Sequence, residues 1–86
     1  MNNNSTTAII QKKLHQALAP TFLDIIDEGH QHLGHANEGA GHFAIRISSP
    51  LFKNKSLVEC HRLVYAALGD TMNNGIHALR IEIIQD

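Results

Sequence analysis

Two short segments in which apolar and polar residues alternate place the strongest constraint on how this chain can fold. Within residues 42–48 and 79–83, every second side chain is large and apolar, namely Phe43, Ile45, Ile47, Leu79, Ile81 and Ile83. A period of two is the pattern of a β-strand with one buried face. Residues 22–27 are also rich in apolar side chains, and we expect them to pair with residues 42–48 as an antiparallel hairpin. The sequence therefore predicts three strands whose apolar faces need a cover.

Two amphipathic helices are predicted to supply that cover. The first, at about residues 7–19, ends before Pro20, because the residue before a proline is disfavoured in a helix. The second, at about residues 57–69, follows Ser56, whose side chain can form a capping box with that of Glu59. The positions that recur at helical spacing are Ile10, Leu14, Ala17 and Leu18 in the first helix and Leu57, Cys60, His61, Val64 and Leu68 in the second.

The order helix, strand, strand, helix, strand predicts an α+β fold. We expect a two-layer sandwich in which both helices lie on one face of a three-stranded sheet. Residues 1–6 are expected to be disordered and residues 7–86 to form a single domain, since 86 residues are too few for two. Residues 29–41 hold four glycines, and we expect a loop that stays mobile until a metal or a partner binds. The side chains expected in the core are Phe43, Ile45, Ile47, Leu57, Val64, Leu68, Leu79 and Ile81.

Charge and cysteine content narrow the classes of function. Seven Lys and Arg residues against eight Asp and Glu residues give a formal net charge of −1, whereas a dedicated nucleic-acid binder is usually strongly basic. A single cysteine excludes an intrachain disulfide and fits a reducing compartment. The first residues lack the basic start and apolar run of a signal peptide, and no apolar stretch approaches the length of a membrane span. We therefore expect a soluble, cytoplasmic protein.

Seven histidines, four of them between positions 30 and 42, are the residues best suited to chemistry. Imidazole is the commonest protein ligand for metal ions and changes its charge near neutral pH. The spacing of His30, His32 and His35 matches neither a helix face nor a strand face. A structural zinc site usually needs four ligands. A metal site that another chain completes therefore fits the ligand count better than a self-contained one.

His77 stands at the start of the third predicted strand. It is either a turn residue that caps the preceding helix or a metal ligand that the rigid start of a strand holds in place. The other nucleophilic and titratable residues match no catalytic triad, and no glycine-rich phosphate loop stands between a strand and a helix. The sequence therefore predicts a binding protein and not an enzyme.

Six short pieces of the chain resemble the BolA family in their order and spacing, over essentially the whole length. They are Ala19-Pro20-Thr21-Phe22-Leu23-Asp24-Ile25, Asp27-Glu28 followed by His32, Gly41-His42-Phe43, Ser48-Ser49 followed by Phe52, His61-Arg62-Leu63-Val64-Tyr65, and Ile76-His77-Ala78-Leu79. BolA-like proteins have a KH-like α+β fold with the order α-β-β-α-β. The resemblance therefore agrees with the fold class predicted from the patterns.

The resemblance implies a role in the trafficking of iron–sulfur clusters or in iron and redox sensing. BolA-like proteins pair with monothiol glutaredoxins and share a [2Fe–2S] cluster, to which the glutaredoxin gives its cysteine and a bound glutathione thiol. The BolA-like chain gives a histidine just before the third strand, which His77 matches, and a histidine or cysteine from the loop between the first two strands. His32 matches that loop ligand best, with His30 and His35 as possible substitutes. The resemblance implies no cofactor for the chain alone.

An alternative implied by the same family is a KH-like DNA-binding transcriptional regulator. In that case Lys53, Lys55 and Arg62 would contact phosphates. The family often has Arg-His-Arg where this chain has Cys60-His61-Arg62, and the lost arginine weakens a phosphate contact. A third interpretation is a histidine-rich metal buffer. It accounts only for the histidines, whereas the resemblance to the BolA family accounts for residues along the whole chain.

Overall fold

The structure, a computed structural model, describes residues 4–28 and 41–85. In chain order its helices and strands are α1 (Asn4–Leu18), β1 (Phe22–Asp27), β2 (His42–Ser48), α2 (Leu57–Leu68) and β3 (Ala78–Ile83). Short 3-10 helices span Pro50–Phe52 and Gly69–Asn73. This order confirms the predicted α-β-β-α-β fold class. No helix in the described ranges has both the length and the hydropathy needed to cross a membrane.

The three strands form one mixed sheet with β2 in the centre. β1 and β2 pair antiparallel, as the predicted hairpin requires, and β2 and β3 pair parallel. In this register Ile45 lies between Ile25 and Ile81, which places these three side chains on one face of the sheet. Phe22 and Ile26 of β1 lie on the other face and are exposed. α1 packs against β1, α2 packs against β3, and the two helices pack against each other. Both helices therefore cover the apolar face, and within residues 4–28 and 41–85 no helix lies on the other face of the sheet.

The core lies between the helices and the central strand. Five of the predicted core residues are buried, namely Phe43, Ile45, Ile47, Val64 and Leu68. Leu79 and Ile81 are half-buried and pack against this cluster from the edge strand. Among the strands, β2 is the most buried, because a neighbouring strand lies on each side of it.

The prediction that Leu57 belongs to the core is wrong, since 57% of this residue is exposed. The buried stripe of α2 begins one turn later, at Cys60. Helical side chains lean toward the N-terminus of their helix, so a first-turn residue such as Leu57 points past the end of the layer beneath it. Ala17, which the helical spacing also assigned to the apolar stripe of α1, is exposed.

The helix boundaries differ slightly from those predicted. α1 begins at Asn4, three residues before the predicted start, and ends at Leu18. Asn, Ser and Thr are favoured at the start of a helix, so a polar run that looks frayed in sequence can form its first turn. α2 has the predicted capping box, in which Ser56 and Glu59 satisfy each other's backbone amides. The predicted mobile loop lies outside the described residues except for Gly41.

Candidate metal centre

His77 lies directly before β3 with its side chain exposed. Its backbone N–H donates a hydrogen bond to the carbonyl oxygen of Gly41 at 2.8 Å, and the N–H of Ala78 donates to the same oxygen at 3.2 Å. These two bonds tie the start of β3 to the residue that precedes β2. The structure therefore places His77 on fixed backbone with its imidazole open to solvent.

Gly41 is required at this position for two physical reasons. Its φ is +78°, a conformation that residues with a Cβ rarely adopt. A Cβ at Gly41 would also lie 2.8 Å from the carbonyl oxygen of Gly75 and 2.9 Å from the amide nitrogen of His77. Both neighbours are backbone atoms that cannot turn away. The close approach of the two chain segments beside His77 therefore depends on the missing side chain.

A second imidazole lies beside that of His77. The rings of His42 and His77 have centroids 5.9 Å apart and planes inclined by only 7°. His42 is the first residue of β2 and pairs with Ala78, so the parallel pairing of β2 with β3 brings the two histidines together. The sequence pattern puts His42 at the start of the second predicted strand, outside its apolar positions, and does not assign it to the site. The signal that was available is its position next to Gly41, at the end of the histidine-rich segment.

An acidic residue and its ion-pair partner adjoin the two histidines. The N–H of Glu28 donates to the carbonyl oxygen of His42 at 2.8 Å, and the Glu28 carboxylate accepts a hydrogen bond from the guanidinium of Arg80 on β3. Glu28 and Gly41 are the described residues on either side of the segment that contains His30, His32 and His35. These three predicted ligands lie outside the described residues.

Cys60, the only cysteine of the chain, is buried within the core. Its thiol lies 3.9 Å from the carbonyl oxygen of Phe52, and the side-chain amide of Gln85 donates to it at 3.6 Å. Burial raises the pKa of the Cys60 thiol, with a smaller opposing effect from the charge of Lys55. A buried, protonated thiol is a packing residue and not a metal ligand. Within residues 4–28 and 41–85, no group of three or more His, Cys, Asp or Glu side chains is arranged to hold a metal ion.

The predicted phosphate-contacting residues Lys53, Lys55 and Arg62 are all exposed. Lys53 lines a surface cleft of about 620 Å³ together with Ser48 and Ile84, which lie at the ends of β2 and β3 opposite to the histidines. The cleft is lined by Thr21, Ser48, Ser49, Pro50, Phe52, Lys53, Asn54, Ile84 and Gln85. The basic residues and the histidine pair are therefore separate surfaces.

An acidic side chain lies among these basic residues. Hydrogen bonds from the backbone and side chain of Ser56 lower the pKa of Glu59, and the charges of Lys55 and Arg62 lower it further. Glu59 therefore stays ionised at neutral pH and offsets part of the positive charge that a phosphate would meet. This arrangement is a weaker anion site than three cations alone.

The comparisons with known proteins agree on one family. A family profile described as BolA-like protein matches residues 14–85. The chain is 43% identical over 79 residues to SufE-like protein 1, chloroplastic/mitochondrial, of Arabidopsis thaliana, which covers 84% of this chain and 21% of that protein. It is 38% identical over 80 residues to the DNA-binding transcriptional regulator BolA of Haemophilus influenzae, and this match covers 92% of this chain and 76% of the regulator.

A solved structure agrees with the fold. BolA1 from Arabidopsis thaliana superposes with a TM-score of 0.77 at 37% identity, covering 88% of this chain and 86% of that one. The chain thus spans about a fifth of SufE-like protein 1 but most of the Haemophilus regulator and of BolA1. The matching profile is named as BolA-like, the Haemophilus relative as a transcriptional regulator and the solved structure as BolA1, and none of these names describes an enzyme.

Proposed function

Because this chain belongs to the BolA-like family, we propose that it is an adaptor that pairs with a monothiol glutaredoxin and shares a [2Fe–2S] cluster with it. The observation that carries the proposal is the placement of His77. Its imidazole is exposed, while its backbone is held by the hydrogen bond to Gly41. A ligand fixed in this way loses little conformational freedom when it binds iron.

The donor set of the described residues fits a shared cluster better than one held by this chain alone. A [2Fe–2S] cluster takes four ligands in all. Exposed imidazole is available at His77, whereas the thiol of Cys60 is buried and protonated. Two thiolates from a glutaredoxin and its glutathione would complete the set, with a second histidine from this chain. We propose His32 as that histidine on the strength of the family resemblance, with His30 and His35 as substitutes.

Histidine ligation would give the shared centre a distinct character. Neutral imidazole in place of thiolate removes negative charge from the cluster and raises its reduction potential, as in Rieske-type centres. Binding of the cluster would thus give the heterodimer an iron–sulfur centre that can be passed on or can report the iron and redox state. His77 would bind and orient the iron, and Gly41 would hold His77 in position.

The experiment that tests this proposal is reconstitution. The chain is mixed with a monothiol glutaredoxin, glutathione, ferrous iron and sulfide, and the product is separated by size and examined by visible absorbance and circular dichroism. We expect a coloured heterodimer whose spectrum differs from that of the glutaredoxin alone. Elution of all the colour with the glutaredoxin, and none with this chain, would refute the proposal.

Three variants make the test specific to His77. His77→Ala should remove the altered spectrum. His77→Cys should restore a cluster with a different spectrum, because thiolate can replace imidazole as a ligand but carries more charge. His15→Ala is the matched control, since His15 is an exposed histidine of α1 and should leave the spectrum unchanged.

A second candidate function is DNA binding by a transcriptional regulator. Two observations favour it, namely the name of the Haemophilus relative and the exposure of Lys53, Lys55 and Arg62. The net charge of −1 and the ionised Glu59 oppose it. Salt separates the two functions, because phosphate binding weakens steeply with ionic strength and a heterodimer bridged by metal ligands does not.

The cytoplasm remains the proposed location. Some relatives are named for other compartments, as SufE-like protein 1 is for the chloroplast and mitochondrion. Fractionation of cells that express the full chain would test the location directly.

A further inference from the structure

The surface cleft at the ends of β2 and β3 carries a single charge. Its volume is about 620 Å³, and of the residues that line it Lys53 alone is charged. Lys53 is exposed and forms no ion pair with a residue of the described ranges. We propose that this cleft binds the C-terminal carboxylate and the last residues of a partner polypeptide whose terminal side chain is apolar. The proposal uses neither the histidines nor a metal, so it does not depend on the proposed function.

The charges of this region favour a ligand with one negative charge. The cations that lower the pKa of Glu59 are Lys55 and Arg62 and not Lys53, so the charge of Lys53 is the one that this acid does not offset. Lys55 and Arg62 do not line the cleft. A nucleic-acid backbone carries a charge at every nucleotide and is usually met by several cations. One unopposed ammonium group therefore matches a single carboxylate better than a chain of phosphates.

The neutral polar groups of the cleft suit the backbone of a peptide. Besides the buried Ser49, hydroxyl or amide side chains come from Thr21, Ser48, Asn54 and Gln85. Hydroxyls and primary amides both donate and accept hydrogen bonds, and a peptide backbone offers both a donor and an acceptor at each residue. The amide nitrogen of Gln85 donates to backbone carbonyls of this chain, which leaves its oxygen as an acceptor. The lining can therefore bind peptide groups next to the carboxylate.

The size and the apolar part of the cleft exclude a small inorganic anion as its full occupant. Its volume lies within the range of roughly 300–1,000 Å³ that is typical of ligand sites. A phosphate or sulfate ion would leave most of this space to water. Pro50, Phe52 and Ile84 give the cleft an apolar lining. An apolar terminal side chain can cover these residues while the carboxylate pairs with Lys53.

The walls of the cleft are held in place before any ligand arrives. The side-chain amide of Gln85 donates to the carbonyl oxygen of Phe52 at 3.4 Å and to that of Lys55 at 3.1 Å. These bonds tie the segment after β3 to the turn that contains Lys53. On the other side, the N–H of Thr21 donates to the carbonyl oxygen of Ser48 at 2.8 Å. Binding therefore orders the peptide and a few side chains but no backbone of this chain, which lowers the entropic cost.

The test is an NMR titration of the free chain with an acetylated tetrapeptide that ends in leucine and has a free carboxylate. We expect weak binding that shifts the amide signals of Lys53, Asn54 and Gln85 and leaves the ring signals of His77, at the other end of the sheet, unchanged. The same peptide with a C-terminal amide should bind about fivefold more weakly, because an exposed ion pair contributes at most about that factor. A peptide that ends in glycine should also bind more weakly, since it covers less apolar surface.

Three variants decide whether the carboxylate lies at Lys53. Lys53→Gln should bind the free peptide about fivefold more weakly and the amidated peptide as the wild type does, because only the ion pair is lost. Lys53→Arg keeps the charge and should keep the preference for the free carboxylate. Lys12→Gln is the matched control, since Lys12 is an exposed lysine of α1 and should leave both affinities unchanged.

Four outcomes would overturn the proposal. They are equal affinity for the free and the amidated peptide, an unchanged preference in Lys53→Gln, equal affinity for peptides that end in leucine and in glycine, and no shift at millimolar peptide. A single-stranded oligothymidine is the competing probe. If it bound in the cleft more tightly than the peptide and displaced it, the cleft would be a phosphate site and the proposal would be wrong.

Discussion

Gly41 and His77 are joined in two ways, by a backbone hydrogen bond of 2.8 Å and by a packing distance that leaves no space for a Cβ. The carbonyl oxygen of Gly41 holds the backbone of His77 through this hydrogen bond. An added methyl group at Gly41 would lie 2.9 Å from the amide nitrogen of His77 and 3.1 Å from its Cβ, so it would push the two segments apart. The position of the proposed iron ligand therefore depends on a residue that contributes no side chain of its own.

The Gly41→Ala variant should be destabilised and should displace His77. A strained φ alone costs about 1–3 kcal/mol, and the clash with backbone atoms adds to it. Urea unfolding measures the loss, and the ring resonances of His42 and His77 should shift. Gly69→Ala is the matched control, since Gly69 also has a positive φ, of +51°, but a Cβ there would meet nothing within 4 Å. Equal losses of stability and unshifted histidine resonances in both variants would contradict this account.

The sequence was sufficient to predict the helices, the strands and the fold class, because the patterns that mark them are local. The alternation through Phe43, Ile45 and Ile47 reports a strand with one buried face, and Ser56 with Glu59 marks the start of α2 without reference to the rest of the molecule. The exposure of Leu57 could not be predicted from a local pattern. Helical spacing shows which residues share one face of a helix, but it does not show where the sheet beneath that helix ends.

The candidate site could be predicted only in part for a related reason. The start of a strand is a local feature, and it identified the position of His77. The pairing of His42 with Ala78 is not local, since the alternation of apolar residues does not tell which strand lies next to which, or in which direction. The neighbour of His77 therefore became visible only with the sheet order.

Replacing Ser49 by alanine should lower stability by about 1–3 kcal/mol, because a buried hydroxyl that makes two hydrogen bonds is lost. Its Oγ donates to the carbonyl oxygen of Leu18 at 2.6 Å and accepts from the N–H of Leu51 at 3.1 Å. Together these bonds connect the end of α1 to the chain that follows β2. Chemical denaturation of Ser49→Ala measures the effect, with the half-buried neighbour in Ser48→Ala as the control. A loss no greater than that of Ser48→Ala would show that these hydrogen bonds are not stabilising.

Stability should fall in acid as Glu59 becomes protonated. Its pKa lies below the usual value of 4.5, chiefly because the backbone N–H of Ser56 donates to the ionised carboxylate. A carboxyl whose pKa is lower in the folded state stabilises the fold above its unfolded pKa and loses that effect as the pH falls through the folded pKa. The free energy of unfolding of Glu59→Gln should therefore vary less with pH below 4.5 than that of the wild type. Ser56→Ala, which removes the other half of the capping box, should cost about 1 kcal/mol at neutral pH.

The thiol of Cys60 should react slowly in the folded protein and quickly in urea. Burial both shields the sulfur and raises its pKa above the usual 9.0, so the reactive thiolate is scarce near neutral pH. A thiol whose pKa is raised by folding also makes the folded state less stable as the pH rises above the unfolded pKa. Reaction with a chromogenic disulfide reagent measures the first effect, and urea unfolding up to pH 10 measures the second. Fast labelling of the native protein at neutral pH would show that the sulfur is accessible.

The two proposed iron ligands should differ in how much the shared cluster depends on them. His77→Ala should abolish the altered spectrum of the heterodimer. The hydrogen bond to Gly41 fixes the backbone of His77, and no other described histidine occupies this position at the start of β3. His32→Ala should leave a weaker or spectroscopically different cluster, since His30 and His35 stand close in sequence and can substitute. The complex without iron should survive both changes, because contacts between the two proteins need not involve the metal. Size-exclusion chromatography of the metal-free mixture and visible circular dichroism of the loaded one separate these effects, and a wild-type spectrum in His77→Ala would show that the ligand assignment is wrong.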